Sequence, residues 1–167
     1  MYIWKYQTPE GFDDIWMTGD DEVLTGLWFD GSKDASKHAA DGDQRLTPVF
    51  EETVHWLDIY FAGNEPAFTP AYHIGNLTDF RREVQQVMQE IPYGKTMTYG
   101  EIAREIAQNR GMAKMSAQAV GGAVGSNPIC IIVPCHRVMG AEGKLTGYGG
   151  GIENKMALLA LEQKNQR

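Results

Sequence analysis

The chain has 167 residues, which fits one ordinary domain or two small ones with a modest core. Its apolar content is ordinary, and the sequence has neither a fixed repeat nor a long uncharged apolar run, which excludes repeat architectures and membrane-spanning helices. The net charge of −7 argues at first against a nucleic-acid partner.

The acidity is confined to the first half of the chain. Residues 1–79 carry four Lys or Arg against fifteen Asp or Glu, whereas residues 80–167 carry eleven against seven. The second half is therefore mildly basic and could lie against phosphates, although a chance asymmetry between two domains would give the same pattern.

The N-terminus lacks the basic-then-apolar layout of a signal peptide. Cys130 and Cys135 are the only cysteines, so a disulfide framework is implausible. We therefore expect a reducing, cytoplasmic location.

The first half predicts a small α+β domain over 1–64. Tyr, Ile, Trp, Val and Phe are frequent in three segments separated by turn residues, which predicts strands over 2–8, 12–18 and 22–30. A polar loop over 31–45 follows. Thr47 and Pro48 then open a helix that Gly63 ends, and its apolar positions keep helical spacing: Phe50, Val54, Leu57 and Phe61. Residues 65–79 hold two prolines and no clear period, so we expect a linker.

The second half, 80–167, predicts mostly helices. The first has its apolar positions at Phe80, Val84, Val87, Met88 and Ile91. Thr98 and Glu101 form a capping-box pattern that opens a helix over 99–107, which Asn109 to Gly111 break. A third helix, over about 116–125, is rich in Ala and Gly. Two short helices joined by a brief turn predict a helix-turn-helix.

An apolar strand is predicted from Ile129 to Val133, ended by Pro134, and a glycine-rich loop over 140–151 and a terminal helix over 152–162 follow. The glycines within 117–123 each cost helix stability, by roughly 1 kcal/mol relative to Ala. A surface that must approach another backbone closely would account for that cost.

Cys135 is the candidate nucleophile. It follows the predicted strand and precedes His136 and Arg137, and cationic or hydrogen-bonding neighbours lower the pKa of a thiol towards its nucleophilic thiolate form. From spacing alone, however, a buried inert cysteine is the favoured interpretation, because free cysteine is among the most buried residue types. For Cys130, inside the apolar run, we expect an inert role.

Two other cysteine chemistries fit poorly. Neighbouring side chains on a strand point to opposite faces, so His136 cannot take the Cys135 proton directly unless the chain turns sharply there. Zinc fits worse, because two cysteines and His136 do not have the spacing of zinc ligands.

Several motifs resemble one family. They are NPICIIVPCHRV (127–138) with LTGYGGG (145–151), IPYGKTMTYGEIA (91–103) and AVGGA (119–123). In order and spacing they resemble the O6-alkylguanine-DNA alkyltransferases, also called methylated-DNA–protein-cysteine methyltransferases. The resemblance covers about 80–162; it is looser over 1–79, where LTGLWF (24–29) is similar to the family's N-terminal domain. That region lacks the cysteines that bind zinc in some members, so we expect no metal and no cofactor.

The resemblance implies an α+β fold, with a small N-terminal RNase H-like domain and a mostly helical C-terminal domain containing a helix-turn-helix. It implies that Cys135 accepts the alkyl group of O6-alkylguanine in DNA, irreversibly and once per molecule. Glu162 would hold His136, which would draw the proton from Cys135 through a water. With a water between them, His136 and Cys135 need not touch, so side chains that point to opposite faces of a strand no longer exclude the proton transfer.

Further roles follow from the same resemblance. Asn127 would orient the thiol region, and Tyr99 would help to rotate the nucleotide and protonate the departing guanine. The base pocket would be walled by the backbone at Val138 and by Tyr148 and Gly149. The resemblance also implies a monomer that binds the minor groove of double-stranded DNA and does not associate with membranes. Its DNA contacts would lie at Gln118, Ala119, Gly121, Gly122 and Arg137.

Gln118 departs from the family pattern, which usually has an arginine that fills the gap left by the flipped base. Glutamine is shorter and uncharged, so we expect weaker support for flipping. A sensor of alkylated DNA that does not transfer the alkyl group is therefore the alternative function, although Cys135 favours repair. A thiol hydrolase or redox protein is a third, for which no resolving thiol or general base is evident.

Overall fold

The fold was analysed in a computed structural model that describes residues 1–32, 42–75, 77–145 and 148–165. Its first half holds a four-stranded sheet in the order β3-β2-β1-β4. β1–β2 and β2–β3 are antiparallel and β1–β4 is parallel. The strands are β1 (Tyr2–Tyr6), β2 (Ile15–Gly19), β3 (Leu24–Phe29) and β4 (Asp43–Gln44).

The three predicted strands form, each shorter than its apolar segment because turn residues at the ends leave the sheet. The loop predicted over 31–45 is wrong at its end, since Asp43 and Gln44 pair with Tyr2 and Ile3. These two exposed polar residues carry no strand signal in the sequence. Residues 33–41 of that loop lie outside the described residues.

The sheet packs against helix α1 (Pro48–Phe61), which begins as the sequence predicts. The Thr47 side chain accepts a hydrogen bond from the Phe50 amide at 3.3 Å, and Gly63 takes a positive φ of 93° just beyond the helix. Phe50 and Leu57 are fully buried, and Tyr60 is buried on the same helix. On this face, Tyr60 lies in contact with the second half of the chain.

Four helices of the described residues form the second half: α2 (Asp79–Gln89), α3 (Tyr99–Asn109), α4 (Ala117–Gly125) and α5 (Ile152–Lys164). The Thr98–Glu101 capping box is confirmed. The two short helices of the predicted helix-turn-helix are present, and residues 110–116 connect them. Gly111, at a φ of 67°, reverses the chain after α3.

The strand expected over 129–133 is also wrong. Ile129 makes one isolated parallel bridge with Leu27, and Ile131 then adopts a φ of 68°, which ends any extended run. Hydrogen bonds between the Asn127 side chain and the Ile129 backbone, one donated by Nδ2 and one accepted by Oδ1, favour this turn over a strand ladder. The second half instead has a two-stranded parallel sheet, β5 (Met97–Thr98) with β6 (Val138–Met139).

The two halves share one core and are joined by backbone hydrogen bonds. The Leu27 amide donates to Pro128 O and the Cys130 amide donates to Leu27 O, both at 2.9 Å. On the same strand, Leu24 pairs with Tyr72. β3 thus bonds directly to the segment that leads to Cys135. No helix in the described ranges is long and apolar enough to cross a membrane.

Candidate active site

Cys135 begins a short 3₁₀ helix, Cys135–Arg137, and is 7% exposed. Its Sγ accepts a hydrogen bond from Asn127 Nδ2 at 3.2 Å. The same amide nitrogen lies 3.0 Å from Ile129 O and 3.1 Å from Val133 O, and Asn127 Oδ1 accepts from the Ile129 amide. Asn127 therefore holds both the turn and the thiol that follows it.

The 3₁₀ turn changes the relation between Cys135 and His136. Successive side chains are about 120° apart around such a turn, whereas on a strand they point to opposite faces. The sharp turn that the sequence left open is therefore present. His136 is fully buried, and its Nδ1 makes no hydrogen bond with any described residue.

The other ring nitrogen of His136 contacts Glu162 on α5. His136 Nε2 and Glu162 Oε2 are 2.6 Å apart, and both side chains are buried. This pair is the one that the resemblance implied. The resemblance did not indicate the other hydrogen bonds that Glu162 accepts.

Four further hydrogen bonds converge on the Glu162 carboxylate. Oε1 accepts from Arg137 Nε at 2.8 Å and from the Gly94 amide at 3.2 Å. Oε2 accepts from the Tyr60 hydroxyl at 2.6 Å and from Arg137 Nη2 at 3.2 Å. We call Glu162 with Tyr60, Gly94, His136 and Arg137 the Glu162 network.

The protonation states of the network follow from its contacts. Burial alone would raise the pKa of Glu162, but His136 and Arg137 outweigh it and hold that pKa well below its usual value. An ionised carboxylate only accepts, so His136 Nε2 and the Tyr60 hydroxyl must both donate. Burial lowers the pKa of His136 more than Glu162 raises it. His136 is therefore neutral at neutral pH, with Nδ1 as its basic nitrogen.

Cys135 lines a cavity of about 80 Å³ beside α4. Six of the residues named from the sequence meet there: Tyr99, Gly121, Asn127, Cys135, Tyr148 and Gly149. Tyr99 comes from the first turn of α3 and Gly121 from the middle of α4. The cavity thus joins the thiol to the predicted DNA-facing helix.

Lys155 also lines this cavity, and sequence reasoning missed it. It is 1% exposed, and its Nζ donates to Val138 O at 2.7 Å. Burial lowers the pKa of Lys155, and the nearby Cys135 thiolate would oppose that shift. A lysine cation at this point favours the thiolate form of Cys135. In the sequence, nothing distinguishes Lys155 from an exposed charge on the terminal helix.

Val138 is fully buried in β6 and is not among the residues that line the cavity. Tyr148, which does line it, has a buried hydroxyl without a hydrogen-bond partner of standard geometry. Burial first, and then the thiols of Cys130 and Cys135, raise the pKa of Tyr148 well above its usual value. Cys130 thus lies close to the site, although it is 2% exposed.

Gln118, Ala119 and Gly122 are exposed on α4, and we call these three residues the α4 surface. The sequence of α4 contains no charged residue. A Cβ added at Gly122 would meet nothing within 4 Å, and one at Gly121 would make only an ordinary contact with Tyr99. The fold itself therefore does not require glycine at these positions.

Arg137 was named as a DNA contact, but its side chain is 11% exposed and is engaged inside the protein. Besides its bonds to Glu162, Nη1 donates to Ile91 O at 2.8 Å. Other cations lie beside the helix pair. Arg104 and Lys114 line a surface cavity of about 220 Å³ between α3 and α4, and neither forms an ion pair within the described part of the chain.

Within the described ranges, no three His, Cys, Asp or Glu side chains meet in a way that could hold a metal ion. The groups that meet at the site are the Cys135 thiol, the His136 imidazole, the Glu162 carboxylate and the buried Lys155. A cysteine beside a buried His–Glu pair, lining a cavity next to two packed helices, is an arrangement typical of proteins with a thiol nucleophile.

Comparison with known proteins gives the family. Residues 79–164 match the family described as 6-O-methylguanine DNA methyltransferase, DNA binding domain. Residues 1–71 match the ribonuclease-like domain of 6-O-methylguanine DNA methyltransferase. The chain belongs to this family, which confirms both the resemblance and the α+β fold class predicted from the sequence.

Two relatives are named methylated-DNA–protein-cysteine methyltransferase. One, from Mycolicibacterium paratuberculosis, is 44% identical over 89% of this chain and 86% of the relative. The other, from Methanosarcina acetivorans, is 40% identical over 97% of this chain and 98% of the relative. Among solved structures, Mycobacterium tuberculosis OGT in complex with DNA has a TM-score of 0.83 and 38% identity, covering 99% of this chain and 94% of that one.

Proposed function

We propose that this protein repairs DNA by moving the alkyl group of O6-alkylguanine onto Sγ of Cys135, once per molecule. One observation carries the proposal: a thiol held by Asn127 at 3.2 Å lines a cavity beside α4 and adjoins a buried His136–Glu162 pair. Membership of the methyltransferase family supports the same conclusion.

The proposed step is an in-line displacement at the alkyl carbon. His136 Nδ1 takes the Cys135 proton through a water, and the thiolate attacks the carbon bonded to O6. The S–C bond forms as the C–O6 bond breaks, and the electron pair leaves with guanine, which Tyr99 protonates. The product is a thioether with no good leaving group, so the chain cannot regenerate its thiol.

The reacting carbon lies inside a duplex, so the nucleotide must rotate out of the stack, at a cost of a few kcal/mol. The solved complex of Mycobacterium tuberculosis OGT with DNA supports a DNA partner for this chain. We propose that the α4 surface enters the minor groove, because its small residues permit a close approach. Gly121, Tyr148 and Gly149 would then receive the flipped base.

The charges needed to hold DNA must come from outside α4. We propose Arg104 and Lys114 for this role, because both are exposed beside α4 without an ion pair to any described residue. Arg137 is better placed to hold Glu162 than to reach a phosphate, since three of its nitrogens are already bonded inside the protein.

Cys135, His136 and Glu162 all come from one chain, so we propose that the monomer is active. We also propose a cytoplasmic location. A reducing compartment would preserve the free thiols of Cys130 and Cys135, and a disulfide or oxidised thiol would stop the reaction.

The proposal is tested by mass spectrometry of the intact protein and its peptides after incubation with an O6-methylguanine duplex. We expect one added methyl group, located on Cys135, and unmodified guanine in the DNA. Cys135→Ala should abolish the transfer completely. Cys130→Ala is the matched control, because this second buried cysteine should be dispensable.

Two outcomes would contradict the proposal. An unmodified wild-type protein that still binds the damaged duplex would indicate a sensor of alkylated DNA, with Gln118 as the residue to examine. A methyl group on Cys130 instead of Cys135 would show that Cys130 is the nucleophile.

A further inference from the structure

The Glu162 network contains one residue from the first half of the chain. Tyr60 lies on α1, 102 positions before Glu162, and its hydroxyl donates to Oε2 at 2.6 Å. The same oxygen accepts from His136 Nε2 at 2.6 Å. Arg137 Nη2 also donates to it at 3.2 Å, so donors from both halves of the chain meet on one carboxylate oxygen.

Tyr60 is fixed in this position by its surroundings. It is 1% exposed, and its ring stacks on Trp56 with a centroid distance of 5.4 Å and an interplanar angle of 6°. Phe61 and Tyr93 contact the ring edge to face. The hydroxyl can therefore donate to Glu162 without a rearrangement of the side chain.

We propose that Tyr60 is a positioning residue for the transfer reaction, which shares Glu162 Oε2 with His136 and so limits how strongly the carboxylate attracts the imidazole proton. This inference rests on the proposed function, in which neutral His136 takes the Cys135 proton. It assigns a part in the chemistry to the ribonuclease-like half.

The physical reason is competition for one acceptor. A carboxylate oxygen becomes more basic as it loses a donor, and a more basic neighbour stabilises the imidazolium form. Without the Tyr60 hydroxyl, Oε2 keeps two donors, His136 and Arg137, in place of three. Removing the Tyr60 hydroxyl would therefore raise the pKa of His136, and a larger fraction of the protein would hold a protonated His136 that cannot accept a proton. Burial first, and then Glu162, raise the pKa of Tyr60 well above its usual value, so its hydroxyl remains a donor at every working pH.

The other charged groups around this pair are Arg137 and Lys155, which both lower the pKa of His136. Both keep their own hydrogen bonds when the Tyr60 hydroxyl is removed, since Arg137 bonds to Glu162 and Ile91 O and Lys155 bonds to Val138 O. Tyr93 also faces Glu162, but its buried hydroxyl has no hydrogen-bond partner among the residues that the structure describes. Tyr93 therefore provides a matched control, which removes a neighbouring hydroxyl without removing a bond to the carboxylate.

The experiment is a pH–rate profile of methyl transfer from an O6-methylguanine duplex for the wild type, Tyr60→Phe and Tyr93→Phe. We expect the acid limb of Tyr60→Phe to move up by about one pH unit, so that transfer below the limb is roughly tenfold slower. Tyr93→Phe should keep the limb of the wild type. Thermal unfolding of each variant, measured in parallel, reports any loss of packing.

A second measurement needs no DNA. Nitrogen-15 chemical shifts of the His136 ring, assigned with His136→Gln, report its pKa and tautomer, and Tyr60→Phe should raise that pKa. If Tyr60→Phe does not fold, 3-fluorotyrosine introduced at position 60 makes the hydroxyl a stronger donor. The limb should then move to lower pH.

The inference is overturned if both Phe variants lower the melting temperature but leave the acid limb and the His136 shifts unchanged, since Tyr60 would then act only through packing. A wild-type protein that transfers no methyl group would instead overturn the proposed function. The ring-nitrogen titration would still decide the role of Tyr60 in that case.

Discussion

The Glu162 network adjoins Cys135 through His136, and the α4 surface belongs to a helix that lines the Cys135 cavity. The two differ in how many contacts the protein itself provides to their groups. Glu162 is 1% exposed and accepts hydrogen bonds from four residues. α4, by contrast, has no charged residue, and Gly122 has open space where a side chain would be. Under the proposed function, the catalytic groups are already held in place by the protein, whereas the α4 surface would gain its contacts only from bound DNA.

This comparison predicts that the largest effects come from the Glu162 network. Glu162→Gln leaves Arg137 and His136 without their charged partner in a buried site, and breaking such a pair costs about 3–5 kcal/mol of folding free energy. We expect methyl transfer to slow by roughly 100-fold, in line with the loss of an oriented general base. Denaturant unfolding and single-turnover kinetics measure the two effects.

The control for this change is Glu153→Gln, because Glu153 lies in the first turn of the same helix but is exposed. It should alter the free energy of unfolding by less than about 0.5 kcal/mol and leave transfer unchanged. Equal effects of the two substitutions would show that the Glu162 network has no special importance.

The network also predicts a dependence of stability on pH. The pKa of Glu162 lies far below its ordinary value of 4.5, so its stabilisation is complete above about pH 4.5 and is lost as the pH falls further. We expect the free energy of unfolding of the wild type to decrease steadily below that pH. Glu162→Gln should flatten this part of the curve, and an unchanged slope would count against an ionised, tightly bound Glu162.

Charges beside the α4 surface should have the next largest effect. Arg104→Gln combined with Lys114→Gln should weaken binding to any duplex by about tenfold and reduce the salt slope by about two, because two phosphate contacts are lost. Arg110→Gln is the matched control, since Arg110 already pairs with Glu83. An equal loss for the control would assign the effect to net charge alone.

A smaller effect, of opposite sign for stability and binding, is expected from Gly122→Ala. Alanine should stabilise α4 by up to about 1 kcal/mol, because nothing lies within 4 Å of the new Cβ. The same methyl group would separate α4 from the minor groove, so affinity for DNA should fall. A variant that gained stability with unchanged affinity would show that α4 does not approach the DNA closely.

The smallest effect is expected at Gln118, which is exposed. Gln118→Arg should accelerate repair of a damaged duplex a few-fold, because the longer cationic side chain fills the space of the flipped base better. Gln118→Ala should slow repair. No acceleration in the arginine variant would mean that glutamine already performs this role.

The sequence predicted the α-helices and three of the four strands of the first sheet because their signals are local. Thr47 and Thr98 cap helices as their neighbours indicate, and Gly63 takes the positive φ expected after a helix. The strand expected over 129–133 fails for a reason that apolarity does not reveal. The Asn127 amide bonds to the backbone of this segment and folds it into a turn.

The motif residues were found because they are close in sequence, whereas two groups at the site were missed because their partners are distant. Tyr60 looks like one more apolar position of an amphipathic helix until Glu162 is placed beside it. Lys155 looks like an exposed charge on a helix, yet it is 1% exposed and bonds to Val138. Contacts of this kind depend on tertiary packing, which no spacing in the sequence encodes.

The backbone bonds between Leu27 and the segment from Pro128 to Cys130 bear on how such a chain can change over evolutionary time. The regions 1–71 and 79–164, which match separate family models, could be thought to be independently exchangeable. A recombinant that replaced the first would have to supply both a strand edge in register with Pro128 and a hydroxyl at the place of Tyr60. The two regions are therefore expected to be inherited together, and substitutions on one side should be matched by substitutions on the other.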